Sequence, residues 1–287
     1  MSSIVLLTVI MLSLLGLASA VILYFVAQKF KVIEDPRIDL VTEVLPGANC
    51  AGCGYTGCRA LAEMLVKSES FEGLNCPVGG GETMIKVADI LGRKALAVEP
   101  KVAVLRCNGT PENCTRTSFY DGATNCRVAH ALYGGNTGCQ YGCLGCGDCV
   151  IACKFDAMYM DPLTQLPVII DEKCVSCGAC VKACPRNLIE LRKRNKKDRK
   201  IYVSCMNKDK GGPARKACKV ACIGCGKCVK ICPYEAITMA DNLAFIDSFK
   251  CKLCRKCVSE CPTAAILEFN FPVKEEKPAE PAITEAV

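Results

Sequence analysis

The sequence predicts an α+β chain in three parts. They are one N-terminal transmembrane helix, a small helical module, and two tandem copies of a cysteine-rich unit made of short strands and helices. The chain has 287 residues, of which 26 are Cys, with no Trp and a single His. This Cys content is far above that of an ordinary globular domain. The second half of the chain also repeats itself, which indicates tandem units.

The first element is an uncharged apolar run over residues 4–26. A helix of about 20 apolar residues crosses the hydrocarbon core of a bilayer, so the run predicts a membrane anchor. The alternative is a cleaved secretory signal, because residues 18–20 (ASA) resemble a cleavage site. Against it, residues 1–3 lack Lys or Arg. Basic residues follow the run at Lys29 and Lys31, which places the N-terminus outside and the rest in the reducing cytoplasm.

The second element is a helical module with four Cys. Glycines surround these Cys and let the backbone fold tightly around a ligand. A helix is predicted from Arg59, with Leu61, Met64 and Leu65 on one side, and a second helix over residues 84–97. Gly79–Gly81 lack the Gly-Lys-Ser/Thr ending of a phosphate loop, so they are interpreted as a hinge. The four thiols form the module site: Cys50, Cys53, Cys58 and Cys76.

The third element is the repeat. Residues 139–160 match residues 218–239, and residues 171–191 match residues 248–268. Each unit is itself a doubled motif, which predicts a pseudo-symmetric pair of strand-helix-strand halves. Outlying thiols also correspond in spacing, since Cys126 precedes Cys139 and Cys205 precedes Cys218 by thirteen positions.

The spacing of the thiols indicates [4Fe-4S] clusters. Three thiols in C-x2-C-x2-C wrap three corners of one cubane, and the Cys after three more residues ligates the neighbouring cluster. In the first unit this rule predicts site 1 (Cys143, Cys146, Cys149 and Cys184) and site 2 (Cys174, Cys177, Cys180 and Cys153). In the second unit it predicts site 3 (Cys222, Cys225, Cys228 and Cys261) and site 4 (Cys251, Cys254, Cys257 and Cys232).

Two other uses of Cys fit this pattern less well. A disulfide framework needs well-separated pairs, and zinc sites close on two C-x2-C pairs. Neither explains four triplets that are each followed by a lone Cys. Pro follows that Cys in three motifs, at Pro185, Pro233 and Pro262, whereas Lys154 takes this position in the fourth. Pro fixes φ and removes a donor where the chain turns away.

Six Cys lie outside these sets. They are either buried free thiols, which pack as small hydrophobes, or ligands of a sixth cluster, or alternate ligands for the motifs they precede. One sixth site considered is Cys107, Cys114, Cys126 and Cys139, and the alternate ligands considered are Cys139 and Cys218. The prediction is five [4Fe-4S] clusters, with a sixth as the alternative. The six residues are Cys107, Cys114, Cys126, Cys139, Cys205 and Cys218.

The net charge of +7 is uneven, because residues 186–200 carry eight Lys or Arg. This stretch is a solvated connector, a lipid headgroup contact or a dock for an acidic partner, and we favour the dock. No aromatic-interleaved surface indicates nucleic acid. His130 is interpreted as structural, and no nucleophile-base pair, Rossmann or Walker motif is present. We therefore expect the chain to carry electrons without substrate-bond chemistry of its own.

The predicted boundaries follow from these elements. The tail is charged and contains Pro without a core pattern, which predicts disorder. The predicted parts are an anchor (1–31), the helical module with its hinge (32–98), a connector (99–138), the first unit (139–193), a basic connector (194–217), the second unit (218–271) and the tail (272–287).

The order of these parts resembles the B subunit of the Rnf complex, an ion-translocating ferredoxin:NAD oxidoreductase. The resemblance rests on the anchor, PGANCAGCGYTGC, KVAVLRCNG, GCLGCGDC and the tandem eight-iron ferredoxin repeats. It implies that the chain accepts electrons from reduced soluble ferredoxin and passes them to membrane and peripheral partner subunits, on a path that drives Na+ or H+ outward. It also implies that the module site lies nearest the membrane. In this family the position of Cys146 is often not Cys, which leaves Cys139 and Cys146 as alternatives at site 1.

Two other functions remain open from sequence. One is an electron-transfer subunit of a hydrogenase or formate dehydrogenase, which co-purifying partners would reveal. The other is a zinc-binding scaffold without a redox role, which iron and sulfide analysis would reveal because zinc is redox-inactive.

Overall fold

The computed structural model describes residues 2–29, 34–94, 99–119, 121–132, 134–195 and 197–272. Lys31 and the predicted tail, apart from Pro272, lie outside these residues. The first element is α1 (Ser2–Lys29), a 28-residue helix. Its best 18-residue window has a mean hydropathy of 2.6, and none of that window is buried in the chain. The helix is therefore long and apolar enough to cross a membrane, a property that an N-terminal signal sequence shares.

The helical module contains α2 (Arg37–Val44), α3 (Cys58–Lys67) and α4 (Gly80–Leu91). α2 packs against both other helices. Leu61 and Leu65 of α3 are almost fully buried, whereas Met64 is 38% exposed. The predicted α3 is confirmed, with a narrower buried face than predicted. The module has an apolar core of its own.

The predicted hinge at Gly79–Gly81 is instead the beginning of α4. The Gly80 N–H donates to Cys76 O at 3.0 Å, and Gly80 has a φ of 61°. α4 starts four residues before the predicted helix and ends at Leu91, because Gly92 adopts the left-handed conformation as its C-cap. The glycines at the start of α4 thus connect this helix to the loop that contains Cys76.

The first unit follows a connector that contains β1 (Lys101–Leu105) and α5 (Cys126–Leu132). Residues 101–107 (KVAVLRC) predict a β-like segment, which β1 confirms. The elements of the unit are α6 (Asp148–Ile151), β2 (Met158–Met160), β3 (Pro167–Ile169), α7 (Ala179–Ala183) and β4 (Ile189–Lys193).

The second unit repeats this order after β5 (Lys200–Val203) and α8 (Gly211–Ala217). In both units the two short helices pack together. The elements of the second unit are α9 (Lys227–Ile231), β6 (Ile237–Ala240), β7 (Leu243–Ile246), α10 (Lys256–Ser259) and β8 (Ile266–Phe269).

The strands pair as four antiparallel two-stranded sheets. Within the units, β2 pairs with β3 and β6 pairs with β7. The last strand of each unit pairs with the strand before the unit: β4 with β1, in the register Leu105↔Ile189, and β8 with β5, in the register Val203↔Ile266. The boundaries predicted at 139 and 218 therefore separate strands that belong to one sheet.

This pairing changes which thiols correspond between the two copies. Cys107 follows β1 and Cys205 follows β5, and β1 and β5 hold equivalent places in the two units. Cys126 instead opens the helix α5. The predicted equivalence of Cys126 and Cys205 was therefore a coincidence of spacing, and Cys107 is the structural counterpart of Cys205.

Candidate metal centres

The four Cys triplets share one backbone conformation. In every triplet, the residue before the second Cys and the residue after it have a positive φ, between 53° and 83°. Five of these eight residues are Gly, but Ser176, Leu253 and Arg255 adopt the left-handed conformation at a steric cost of about 1–2 kcal/mol each. Strained backbone of this kind persists where a functional site requires it. The eight residues are Gly145, Gly147, Ser176, Gly178, Gly224, Gly226, Leu253 and Arg255.

Site 2 brings its four predicted thiols together. Burial raises the pKa of Cys180 to about 11, and the nearby thiols of Cys174, Cys177 and Cys153 raise it further. The same four Cys line one cavity between β2, β3 and α7. The lone Cys153 of the first motif thus lies with the second triplet, as the crossed ligand rule requires.

Sites 3 and 4 repeat this arrangement. At site 3, burial raises the pKa of Cys228 to about 11, with Cys222, Cys225 and Cys261 adding to the shift, and all four line a cavity. At site 4, burial and the thiols of Cys251 and Cys254 raise the pKa of Cys257 to about 12. Cys232 contributes in the same way to the raised pKa of Cys251.

Site 1 has five thiols. Burial raises the pKa of Cys149 to about 12, and the nearby thiols of Cys126 and Cys184 contribute smaller increases. Cys126 lines the cavity of this site with Cys143, Cys149 and Cys184. Burial, with Cys126 next to it, also raises the pKa of Cys146 to about 11. Cys146 does not line that cavity, so Cys126 lies with Cys143, Cys149 and Cys184 where Cys146 was predicted.

The module site joins its loop to α3 and α4. Burial raises the pKa of Cys76, and Cys58 and Cys53 add to the shift. The Cys58 N–H donates to Asn49 Oδ1 at 2.8 Å, which holds the loop containing Cys50 against the start of α3.

The module site also touches site 2. The Cys50 thiol adds to the raised pKa of Cys177, after burial and ahead of Cys153. A Cβ atom added to Gly52 would lie 2.7 Å from Cys177 O, so only Gly permits this approach. This contact was not predicted, because nothing in the motif spacing connects the two loops.

Backbone amides donate to the sulfur atoms, as a cluster ligand requires. The Gly52 N–H lies 3.5 Å from Cys50 Sγ, and the Gly79 N–H lies 3.3 Å from Cys76 Sγ. In the units, Leu188 and Ala265 donate to Cys184 and Cys261 at 3.4 and 3.3 Å. Hydrogen bonds to cluster sulfurs help to set reduction potentials, so these residues fit a bound [4Fe-4S] cluster.

The spacing of the thiols suits a cluster better than a single ion. Among the residues that the structure describes, no three His, Cys, Asp or Glu side chains are grouped closely enough to hold one metal ion. Four thiolates around one zinc each lie about 2.3 Å from it. In a cubane each thiolate binds a different iron, so the ligands stand farther apart.

The remaining five extra Cys form an interface group between the two units. Cys139 lies near Cys114 and Cys205. Burial raises the pKa of Cys139, and these two thiols raise it further. Cys107 lies near Cys139 and Cys205, and Cys218 lies near Cys114 and Cys107. Cys126, which the sixth site considered from sequence includes, lies with the thiols of site 1 and not with this group, whereas Cys139 lies with it. The interface group is Cys107, Cys114, Cys139, Cys205 and Cys218.

Most cations of residues 186–200 have internal partners. Arg192 is 4% exposed and pairs with Glu190 at 2.5 Å. Lys200 pairs with Asp171 at 2.6 Å and Arg194 with Asp198 at 2.6 Å. The predicted docking role of this stretch is thus not supported, because its charges hold the fold together.

Exposed lysines instead surround the triplets of the second unit. Cys225 and Cys254 are the two thiols that the structure exposes among the described Cys. Lys227, Lys252 and Lys256 are exposed beside them. No Asp or Glu occurs in residues 222–234 or 248–259. We call this surface the lysine face.

Fold and site together define a class: an electron-transfer protein with eight-iron ferredoxin-type units. Family models agree, since a "4Fe-4S dicluster domain" matches residues 142–187 and 221–265. A "4Fe-4S double cluster binding domain" matches residues 173–235, and a "Putative Fe-S cluster" model matches residues 45–78, which hold the module site.

Three relatives identify the family within that class. The B subunit of the Na(+)-translocating ferredoxin:NAD(+) oxidoreductase complex of Acetobacterium woodii is 43% identical, over 84% of this chain and 71% of the relative. Its proton-translocating counterpart from Clostridium ljungdahlii is 42% identical, over 88% and 87%. The B subunit of the ion-translocating oxidoreductase complex of Methanosarcina acetivorans is 41% identical, over 88% and 93%. The chain belongs to this family of B subunits, the family of the Rnf complex. None of the three names indicates a hydrogenase, a formate dehydrogenase or a zinc scaffold.

Proposed function

We propose that the chain is a membrane-anchored iron-sulfur conductor that takes electrons from reduced ferredoxin and passes them to partner subunits of an ion-translocating ferredoxin:NAD+ oxidoreductase. The observation that carries the proposal is the shared conformation of the four triplets, whose thiols converge with the crossed partners that clusters need. On this proposal the module site and sites 1 to 4 each hold one [4Fe-4S] cluster.

At site 1 the proposed ligands are Cys143, Cys146, Cys149 and Cys184. The conformation of Gly145 and Gly147 around Cys146 matches that of the other triplets, which supports Cys146 as the ligand. Cys126 is then a neighbouring thiol that does not bind the cluster. Its backbone N–H donates to Asp148 Oδ1 at 3.0 Å.

The contacts support an order of electron transfer. The module site touches site 2, and sites 1 and 2 share the first unit. The second unit presents the lysine face. Electrons would enter at the second unit, pass through the first unit and leave through the module site. With α1 in the membrane, N-terminus outside and the clusters in the cytoplasm, the module site lies nearest the membrane partners.

Ferredoxin enters this proposal through the names of the relatives and through charge. Cations clustered on one surface steer an oppositely charged partner and raise association rates by about 10- to 1,000-fold. The lysine face has this character, and it surrounds the exposed Cys225 and Cys254, where a donor could approach two clusters closely. The A. woodii and C. ljungdahlii relatives are named for different ions, so similarity of this chain to them does not select the ion.

The test uses the full-length chain and reduced ferredoxin. Replacing Lys227, Lys252 and Lys256 by Gln is expected to slow the second-order reduction of the chain by about tenfold or more at low salt, because steering is lost. Stopped-flow measurement of cluster bleaching against ionic strength gives the rate. In the original chain the rate should fall steeply with salt, and in the variant it should not.

The matched control replaces three exposed lysines of the first unit, Lys154, Lys173 and Lys182, by Gln. It changes the net charge equally and should leave the rate nearly unchanged. Equal slowing by both triple variants, or a rate that ignores salt, would refute entry at the lysine face.

A further inference from the structure

The interface group is a set of thiols that the five sites do not use. Cys114, Cys139, Cys205 and Cys218 are between 3% and 8% exposed, and they pack in the same buried core as residues of the second unit. A backbone β-bridge between Cys114 and Cys218 joins the first connector to the start of the second unit, and the Lys219 N–H donates to Asn113 O at 2.8 Å. The group therefore lies where the two units meet.

Four of the five thiols are related by the internal repeat. Cys107 and Cys205 each follow the strand that pairs with the last strand of their unit. Cys139 and Cys218 each lie four residues before the first Cys of a triplet, at Cys143 and Cys222. Each unit thus contributes two equivalent thiols, and the repeat assigns no partner to Cys114.

The same four sulfurs accept backbone hydrogen bonds as the cluster ligands do. Each takes an N–H from the residue two positions on: Cys107 from Gly109 at 3.4 Å, Cys205 from Asn207 at 3.4 Å, Cys139 from Tyr141 and Cys218 from Val220. This i+2 pattern occurs at Cys50, Cys76, Cys143, Cys177 and Cys251. Cys114 differs because it has no i+2 hydrogen bond within the described part of the chain. Its sulfur accepts the backbone N–H groups of Cys139 and Gly138, and its thiol lies 3.2 Å from Ala217 O.

Two arginines place positive charge beside the group. Arg106 is 6% exposed, donates to Val203 O and Cys205 O, both at 3.4 Å, and pairs with Glu190 at 3.4 Å. Arg186 lies next to Cys107, Cys139, Cys143 and Cys184, and its buried Nε has no hydrogen-bond partner among the described residues. Buried cations need negative partners. A [4Fe-4S] cluster with four thiolates is anionic and would supply one to Arg186, which has no acidic partner among the described residues.

We propose that Cys107, Cys139, Cys205 and Cys218 hold a sixth [4Fe-4S] cluster at the interface of the two units, with Cys114 as a neighbouring thiol. The proposal extends the function proposed above. It differs from both alternatives considered from sequence. The sixth site considered there contained Cys126, which lies at site 1, and the other alternative used Cys139 and Cys218 as ligands of the neighbouring motifs.

The position gives the sixth cluster a role as the relay between the units. The Cys143 N–H, from the first ligand of site 1, donates to Cys107 Sγ at 3.4 Å. The Cys222 N–H, from the first ligand of site 3, donates to Cys205 Sγ. A cluster held by these four thiols would take one electron from the cluster at site 3 and pass it to the cluster at site 1, so that each donor returns to its oxidised state.

The experiment measures iron and acid-labile sulfide in the full-length chain purified without oxygen. Six cubanes bring about 24 iron atoms per chain. The double variant Cys139→Ser/Cys218→Ser is expected to retain about 20, with the EPR signals of the other five clusters unchanged. Mixed with reduced ferredoxin and frozen rapidly, it should show reduced clusters in the second unit and oxidised clusters in the first.

The matched control is Cys114→Ser, which should keep about 24 iron atoms. Loss of about four iron atoms from this control, with none lost from the double variant, would overturn the ligand set. If the double variant loses all its iron by failing to fold, the iron content of the original chain decides whether a sixth cluster is present. About 20 iron atoms there, or zinc in place of iron at the interface, would overturn the sixth cluster. A chain with about 20 iron atoms that ferredoxin still reduces would leave the proposed function intact.

Discussion

The substitution Cys225→Ala is expected to remove the cluster of site 3 and to interrupt electron flow into the first unit. Cys225 is exposed, so its loss removes a ligand without opening a cavity in the core. The iron content should fall by about four atoms per chain. The clusters of the first unit and the module should stay oxidised when reduced ferredoxin is added, because the path to them runs through site 3.

Iron analysis together with rapid-freeze EPR checks both parts of this result. Cys114→Ser is the control, since it removes a thiol that belongs to none of the proposed ligand sets. An alanine variant that keeps all its iron and reduces the first unit at the original rate would show that site 3 is wrongly assigned.

The second large effect is expected when iron is withheld. The helices of the two units have four or five residues each, except for α5 and α8 in the connectors, and their sheets have two strands. Isolated helices shorter than about 12 residues and single hairpins are marginal in water. Cys also makes up much of the buried core of the units. Metal binding therefore supplies folding free energy, on the order of 10 kcal/mol for a structural site.

Without iron, both units should unfold while the helical module partly survives. The module has an apolar core that includes Val41, Leu61, Leu65 and Val87, all at most 1% exposed. Hydrogen exchange read by mass spectrometry should show strands β2 to β8 unprotected and α3 and α4 protected. The iron-loaded chain is the internal comparison. Native protection of the strands in an iron-free chain would contradict the expectation.

Local patterns were predictable from sequence, and contacts over long distances were not. The triplets, α3 and β1 follow from spacing within a few residues, because short loops and periodic apolar residues determine them. The pairing of β1 with β4 joins residues 84 to 92 positions apart, from Leu105↔Ile189 to Lys101↔Lys193. No local signal specifies such a pair, so the units were predicted to begin after the strands that complete them.

Two regions show what could not be resolved from sequence. Cys126 and Cys205 share a spacing, but Cys126 opens a helix and Cys205 follows a strand, and only the backbone separates them. Residues 186–200 have the composition of a docking patch. Arg192, Arg194 and Lys200 of this stretch instead pair with Glu190, Asp198 and Asp171 within the chain. Charge counted along a sequence does not show which charges face solvent.

The most direct test of cluster-mediated electron transfer is iron and sulfide analysis of the full-length chain, purified without oxygen, before and after addition of reduced ferredoxin. We expect at least about 20 iron atoms and as many sulfides per chain, with visible absorption that ferredoxin bleaches. A colourless preparation that holds zinc or no metal, and that still restores ferredoxin:NAD+ activity to a complex lacking this chain, would contradict it.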